Sequence, residues 1–500
     1  MAGIGFELKK LFNKRGLTAI FKAYGYTGVI TTGPMLLGVL LILGVMYIAD
    51  VTGLSSHDRE LLVCMITYAL LASLTFTSFF SMVVTRHISD MLFEKREDAV
   101  MASFEGSLVL LLLLGGPVYG AFLCVSGIGV MLVLLNFALF CELTAVWLAM
   151  NYLTAVKDYK GILASFAAAV ITAFLTGGVL SFLLGPSVEA LMTGVYCGYG
   201  VMLVWDIRLL FQYFPRGTVS RFYFLRWFDE YRSLAFTGLF TNLGLFTHLV
   251  ILWFSPVGIQ VEGLFYGAPV HDVPALLAFL TILLTTINFV ASVEVRFYPR
   301  YYTYYSLFNG KGSIKDIRQA EEEMLTVLEH ELLYTARKQL YATGLVIAVS
   351  GLVLKALPLG FNDTMEGYFR ILSVGYGIYA IGNTILLILL YFTDYKGAFI
   401  ASAGFAAVTT LGTLVSLTFP IEYYGFMFAV GAAVFFLIAW FRLNWFTGKL
   451  PYHILSTQPI IVRARYGFFS RLGERLERGR TVEKKESPDG RKRAGKGKQE

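Results

Sequence analysis

The chain has 500 residues, 56% hydrophobic and only 15% charged, with a mean hydropathy of +0.65; an ordinary soluble domain carries about 25% charged residues. Such a chain is solvated by lipid, which excludes the three soluble domains or so that length alone would suggest. The net charge of +7 follows loop asymmetry and a basic tail, so nucleic acid is a poor partner and anionic lipid headgroups a natural one.

Taken in chain order, residues 1–23 form a leader in which Ile4, Phe6, Leu8, Leu11 and Phe12 alternate with Lys9, Lys10, Lys14 and Arg15. This pattern predicts an amphipathic helix lying on the inner leaflet, with a solvated leader as the alternative. The lysines before an apolar run resemble a signal peptide, but the run is too long and has no small-x-small cleavage site, so it reads as an uncleaved first span. Apolar runs at 24–48, 61–84, 106–125, 128–153, 162–184 and 190–213 predict six membrane helices in a first lobe, 24–213. A cytoplasmic linker, 214–233, follows. Runs at 234–254, 274–295, 340–357, 371–392, 398–419 and 423–441 predict six more in a second lobe, 234–443, with a cytoplasmic insert at 298–338. Each run is long enough to cross about 30 Å of hydrocarbon as a helix and too long for a barrel strand. The insert opens with a Ser-x-x-Asp cap at Ser313 and places Ile314, Ile317, Met324, Leu328 and Leu332 near one helical face. Its acidic run Glu321-Glu322-Glu323 reads either as a solvated face or as a partner-docking patch. The tail, 444–500, is basic, and from Pro488 it has almost nothing to bury, so disorder is expected there.

The expected fold is therefore an all-α membrane protein of about twelve transmembrane helices in two six-helix lobes. An internal duplication supports the two lobes. Asp158-Tyr159-Lys160-Gly161 recurs as Asp394-Tyr395-Lys396-Gly397, about 236 residues on, each copy between two apolar runs. Val84-Thr85-Arg86 is echoed by Val293-Glu294-Val295-Arg296, and the longer insert after Arg296 accounts for the unequal spacing. With both termini in the cytoplasm, all of the 41 lysines and arginines except Arg59, Lys355 and Arg370 fall on the cytoplasmic side. The tetrapeptide turns then face the cytoplasm.

The chemistry expected of an enzyme or a primary pump is missing from the sequence. Gly310-Lys311-Gly312-Ser313 fails as a phosphate loop, because Tyr305 stands where the first glycine belongs and a glycine separates lysine from serine. There is no His-Glu-x-x-His pair and no Gly-x-Ser-x-Gly elbow. Cys64, Cys124, Cys141 and Cys197 have no paired spacing, so neither a disulfide framework nor a metal site is indicated. No catalytic residue, metal or cofactor is expected.

Charges inside spans are the pointers that remain, since each costs roughly 2.5–3.5 kcal/mol at a helix centre on the insertion scale. Glu142 is the deepest, and it reads as a cation, proton or sugar-hydroxyl site or as a structural hydrogen bond between helices. Asp206 is too short to reach the headgroups and is the better cavity candidate, while Arg208 can snorkel. Arg86, Glu294 and Arg296 end their spans and read as boundary residues or as part of a substrate pathway. Pro34 interrupts the first span after Gly33 and is either a hinge or a static packing kink. Thr75, Thr77, Ser78, Asn242, Thr285, Thr286 and Asn288 can line a sugar path or serve as glue between helices.

The opening Met1-Ala2-Gly3-Ile4-Gly5-Phe6-Glu7-Leu8-Lys9-Lys10, then Ala23-Tyr24-Gly25-Tyr26-Thr27-Gly28 and Gly33-Pro34, resemble the start of the PelG family of Pel exopolysaccharide transporters. Val84-Thr85-Arg86, Val156-Lys157-Asp158-Tyr159 and Val293-Glu294-Val295-Arg296-Phe297-Tyr298 extend the resemblance towards the last span. It implies a bacterial inner-membrane, multi-pass protein of the multidrug/oligosaccharidyl-lipid/polysaccharide exporter type. It further implies a polysaccharide substrate rich in N-acetylgalactosamine and partly deacetylated. A cytosolic glycosyltransferase and accessory Pel membrane proteins would be its partners, under cyclic-di-GMP control. On this reading Glu142 and Asp206 form an acidic wall of a cavity between the lobes, and Pro34 is a flexible point. Two alternatives stay open: a lipid-linked oligosaccharide flippase using Arg86 and Arg296 for a pyrophosphate, and an ion-coupled small-molecule antiporter using Glu142.

Overall fold

In hydrocarbon every backbone polar group must be bonded within the segment, so the apolar runs fold as helices. The computed structural model describes residues 17–216, 219–308, 310, 312–356, 360–457 and 466–485. The leader up to residue 16 and the tail from residue 486 lie outside the described residues. The first lobe consists of α1 (Leu17–Val51), α2 (Ser56–Phe93), α3 (Asp98–Val125), α4 (Val130–Ala155), α5 (Tyr159–Leu184) and α6 (Val188–Tyr213). A short α7 (Leu225–Glu230) lies in the linker. The second lobe begins with α8 (Arg232–Trp253) and a small antiparallel hairpin, β1 (Ile259–Glu262) and β2 (Phe265–Gly267). It continues with α9 (Pro269–Phe279), α10 (Leu283–Ala291), α11 (Tyr298–Phe308), α12 (Ile314–Ala356), α13 (Asp363–Tyr391), α14 (Tyr395–Ser416) and α15 (Phe426–Thr447). In the tail, α16 (Leu450–Thr457) and α17 (Phe468–Lys485) are helical.

Eleven of these helical stretches are long and apolar enough to span a membrane. The membrane-length upper part of α12 is the twelfth helix of the two-lobe plan. Two large hydrophobic cores match the two lobes, one built from residues between Leu41 and Ala235 together with Phe265, the other from residues between Leu245 and Ile454.

Three features depart from the sequence reading. The eighth span is not one regular helix: α9 passes through a tight turn at Leu280–Ile282 into α10, then through a wide π-wound segment, Ser292–Phe297, into α11. The first part of the insert, where no helix was expected, is α11, which prolongs the eighth span, and α12 runs unbroken into the ninth. The 43-residue α12 is about 65 Å long at 1.5 Å per residue, twice the hydrocarbon thickness. Its start carries the expected cap, with Ser313 Oγ accepting from the Asp316 amide at 3.2 Å and Asp316 accepting from the Ser313 amide at 3.3 Å. Met324 and Leu328 are buried as expected, but Ile314 is 73% exposed, since it precedes the region that α11 covers. The third departure is the hairpin, whose two short strands no periodicity announced.

The tail returns to the linker. Asp229 on α7 caps the start of α17, accepting from the amides of Gly467 (3.0 Å), Phe469 (3.3 Å) and Ser470 (2.7 Å) and from the Ser470 hydroxyl (2.7 Å). Burial alone would raise this carboxyl, but these bonds and Arg232 outweigh it and hold the group below its ordinary value.

Candidate functional site: the lobe seam and the buried acids

The two tetrapeptide turns lie on one face of the bundle, called here the turn face; the hairpin lies on the other. Both turns have the same local geometry. Lys157 and Thr393, just before them, are left-handed at φ 63° and 61°. Asp158 and Asp394 then cap α5 and α14 by accepting from the Gly161 amide (3.0 Å) and the Gly397 amide (3.1 Å). The glycines are required by space: a Cβ at either position would collide with the capping carboxylate.

Each tyrosine of the motif sits at the seam between lobes. Tyr395 lies against Tyr231, with ring centroids 5.4 Å apart, and beside the Arg86 guanidinium. Tyr159 packs against Ile30 of α1, as do Tyr26 of the same helix and Val290 and Val295 of the second lobe. Ile30 is also the residue whose carbonyl loses its helical donor to Pro34. Pro34 itself stands inside α1, which is helical on both sides of it.

The span-end arginines are both paired. Arg86 holds Asp90 at 2.9 Å, and Asp90 also accepts from the Trp227 indole at 2.9 Å. Arg296 holds Glu331 at 2.6 Å. The Glu294 side chain lies outside the described residues. A cation the sequence did not single out, Lys338, donates to Asn288 Oδ1 at 3.0 Å and lies 4.8 Å from the ring of Tyr24 and 4.2 Å from that of Tyr334. It therefore joins α12 to α1 across the seam. Thr75 of α2 bonds Asn242 of α8 at 3.1 Å, a second polar link between lobes. Thr285 and Asn288 instead tie α10 to α12 through Gln339 (2.5 Å) and Thr335 (2.6 Å), a glue role.

The two acids occupy different places. Glu142 on α4 is half-buried against α6, where Tyr196 is its hydroxyl partner and a Cβ at Gly200 would lie 3.1 Å from its Oε1. Its Oε2 is buried and has no hydrogen-bond partner among the described residues. Asp206 on α6 is fully buried, and neither of its oxygens has a hydrogen-bond partner there. Ser165 on α5 is its polar neighbour and Asp158 the nearest charge acting on it. Asp206 stands 48 residues after Asp158. In the second lobe the residue 48 after Asp394 is Arg442, which grips Asp394 with two bonds, at 2.5 and 2.9 Å. In space, however, the side chain that stands over Gly161 as Arg442 stands over Gly397 is Leu209, so the first lobe puts an apolar residue where the second puts a guanidinium, and Asp206 lies about one turn deeper on α6. Arg442 was not singled out in the sequence, because it stands just past the last apolar run, where an arginine is ordinary.

A family model described as "Putative exopolysaccharide Exporter (EPS-E)", PelG, matches residues 1–455. No curated protein sequence matches the chain. Among solved structures, an outward-facing multidrug resistance MATE family transporter of the MOP superfamily superposes with a TM-score of 0.58 at 14% identity, covering 89% of this chain and 98% of that one. The inward-facing form of a MATE family transporter gives 0.55 at 12%, covering 84% and 99%. A MOP superfamily transporter from Pyrococcus furiosus, described as having a binding pocket of reverse polarity, gives 0.55 at 13%, covering 87% and 97%. At such identities the likeness establishes the fold: twelve helices in two lobes.

Proposed function

The chain belongs to the PelG exopolysaccharide exporter family, and from that premise we propose that it passes an amino-sugar polymer of the Pel type through the seam between its lobes. It is a multi-pass membrane exporter by family and fold. The further reading places it in a bacterial inner membrane with the turn face and both termini in the cytoplasm, where a glycosyltransferase delivers the nascent polymer. The α11–α12 projection is the docking element for that enzyme and accessory membrane proteins, and the basic surfaces of the turn face meet anionic lipids.

The observation that carries the mechanism is the fully buried carboxylate of Asp206, on which no cation acts. A buried acid without a partner is costly unless it binds a proton or cation at some stage. Ion binding at Asp206, with Glu142 as a second acid of the same lobe, supplies the energy on this reading. The flippase alternative loses support because Arg86 and Arg296 are each already neutralised by a carboxylate.

The test uses Asp206→Asn and Glu142→Gln in a strain secreting the polymer. Each should lower secretion at least tenfold with protein abundance unchanged. Normal secretion from both variants would remove the acids from the mechanism and leave the family assignment standing. Reversal of Glu321, Glu322 and Glu323 to lysine should weaken co-purification with the glycosyltransferase. Since Glu323 already pairs with Arg300 at 2.5 Å, Glu322→Lys alone is the cleaner probe of docking.

A further inference from the structure

The second lobe holds its own buried ionisable group, which the export reading does not use. His248 near the end of α8 and His271 at the start of α9 are both fully buried, with ring centroids 5.5 Å apart. None of their four ring nitrogens has a hydrogen-bond partner among the described residues. An unmade buried hydrogen bond costs about 1–3 kcal/mol, so two such rings side by side call for an explanation. Beside them, Asp272 uses one oxygen to accept from the Trp253 indole at 2.8 Å and the Ala268 amide at 3.1 Å. Its other oxygen, Oδ1, has no hydrogen-bond partner among the described residues and lies 3.7 Å from His271 Nδ1. The titratable groups facing the pair are Asp272 on α9 and, on α13, Tyr376 at 6.4 Å from His248 and Tyr368 at 5.5 Å from His271. Glu422 acts on Tyr368, and Cys64 and Tyr68 of the first lobe lie within electrostatic reach of Asp272.

What Asp272 holds is the base of the hairpin. Ala268 directly follows β2, and Trp253 stacks on Tyr68 of the first lobe at 4.6 Å. The hairpin itself reaches across the seam. Phe265 is fully buried in the first lobe's core, beside Tyr68 and Phe122. The Leu264 amide donates to the Ser126 carbonyl at 2.8 Å, and the Tyr68 hydroxyl bonds both the amide and the carbonyl of Tyr266 at 3.1 Å. Gly263, at φ 54°, makes the turn against the Ser126 carbonyl, where a side chain would collide. This is a latch from the second lobe into the first on the hairpin face.

We propose that His248, His271 and Asp272 form a proton-binding site that controls the grip of this hairpin on the first lobe. His/Asp groups close enough to hold a metal ion do not occur among the described residues, and neutral imidazoles with free lone pairs are proton acceptors. In the neutral form Asp272 keeps Trp253 and Ala268 in place. A proton taken from water onto the His271 ring creates an imidazolium that pairs with Asp272 Oδ1, drawing the carboxylate from the indole and the amide. A positive charge among Phe428, Tyr376 and Tyr368 also favours a conformation that admits water. The hairpin then withdraws Phe265, and the proton returns to water when the latch re-forms. The inference concerns the latch and does not depend on the identity of the cargo.

The test is a distance measurement on the full chain in lipid nanodiscs. Spin labels at Ile259→Cys and Met131→Cys, both exposed positions, report hairpin to first lobe after Cys64, Cys124, Cys141 and Cys197 are replaced by alanine. At pH 8 one short distance is expected; at pH 5.5 a longer population should appear, enriched at least threefold. His271→Gln and His248→Gln should lose this response. A pH-independent distance in the labelled protein with both histidines present, or an unchanged response in both variants, overturns the proposal. If the glutamine variants fail to fold, Asp272→Asn must weaken the response, and an undiminished one is equally fatal. A second measurement uses Gly267→Cys, whose Cβ would lie 3.1 Å from native Cys64 Sγ, within disulfide reach. Oxidation should stop secretion and a reductant restore it. Secretion that ignores oxidation refutes the latch while leaving export intact, whereas no secretion in either state counts against export and leaves the spin-label result to judge the latch.

Discussion

The two tetrapeptide turns share a sequence, a left-handed lead-in and a cap, yet their surroundings differ. Asp394 is neutralised by Arg442, whereas Asp158 accepts from the Tyr213 hydroxyl at 3.0 Å and feels the bare Asp206. A turn whose charge is matched within the protein is a fixed joint. One whose aspartate is held by a hydroxyl, with a second buried carboxylate acting near it, changes its energy when a proton or cation arrives. Duplication thus supplied two equal scaffolds, one neutralised by an arginine and the other, with Leu209 against its glycine, left without that cation.

The sharpest break of this comparison is Arg442→Ala, which leaves Asp394 buried without its cation. A loss of roughly 2–4 kcal/mol is expected, towards the lower end because the guanidinium is partly exposed; thermal unfolding in detergent measures it. Asp206→Asn should cost less than about 1 kcal/mol, or stabilise, because it removes an uncompensated charge. An equal loss in both variants would end the distinction between the turns. Next in size, Asp158→Ala removes a cap and an exposed bond from the Tyr213 hydroxyl and should cost about 1 kcal/mol, well below the cost of Asp394→Ala in the same assay. Leu209→Arg, which sets a guanidinium against Gly161 as Arg442 is set against Gly397, should keep abundance near normal and lower secretion.

The smallest effect concerns the Asp229 socket. Its folded-state carboxyl lies below the ordinary Asp value of about 3.9, so the stability it contributes is present at neutral pH. That contribution is lost only as pH falls from the ordinary value through the depressed one. Trypsin cleavage at Arg471, in the first turn of α17, should therefore be unchanged from pH 8 to pH 5 and rise only in more acid medium. Asp229→Ala should expose the site at every pH.

Much of this was legible in the chain. Apolar length located the spans, because lipid leaves the backbone no other choice. The repeated Asp-Tyr-Lys-Gly announced both the duplication and, through Asp and Gly, the cap itself. The broken eighth span was not legible, since tight and wide helical turns leave no periodic signature, and neither was the hairpin, whose strands are too short to show alternation. Glu142 and Asp206 were found because charge in an apolar run stands out. His248, His271 and Asp272 were not, because neighbours in space that lie on separate helices share no spacing in sequence. Lys338 was hidden by its place at a span end, where lysine is ordinary.

The unbroken α12 has a mechanical meaning. A helix that begins well outside the bilayer and ends within the second lobe is a stiff lever with its fulcrum at the membrane surface. With about 30 Å of arm outside, a 10° tilt of the lobe would swing the free end by about 5 Å. An enzyme seated on that end would be displaced in step with each stroke, and one that pushed on it would tilt the lobe in return.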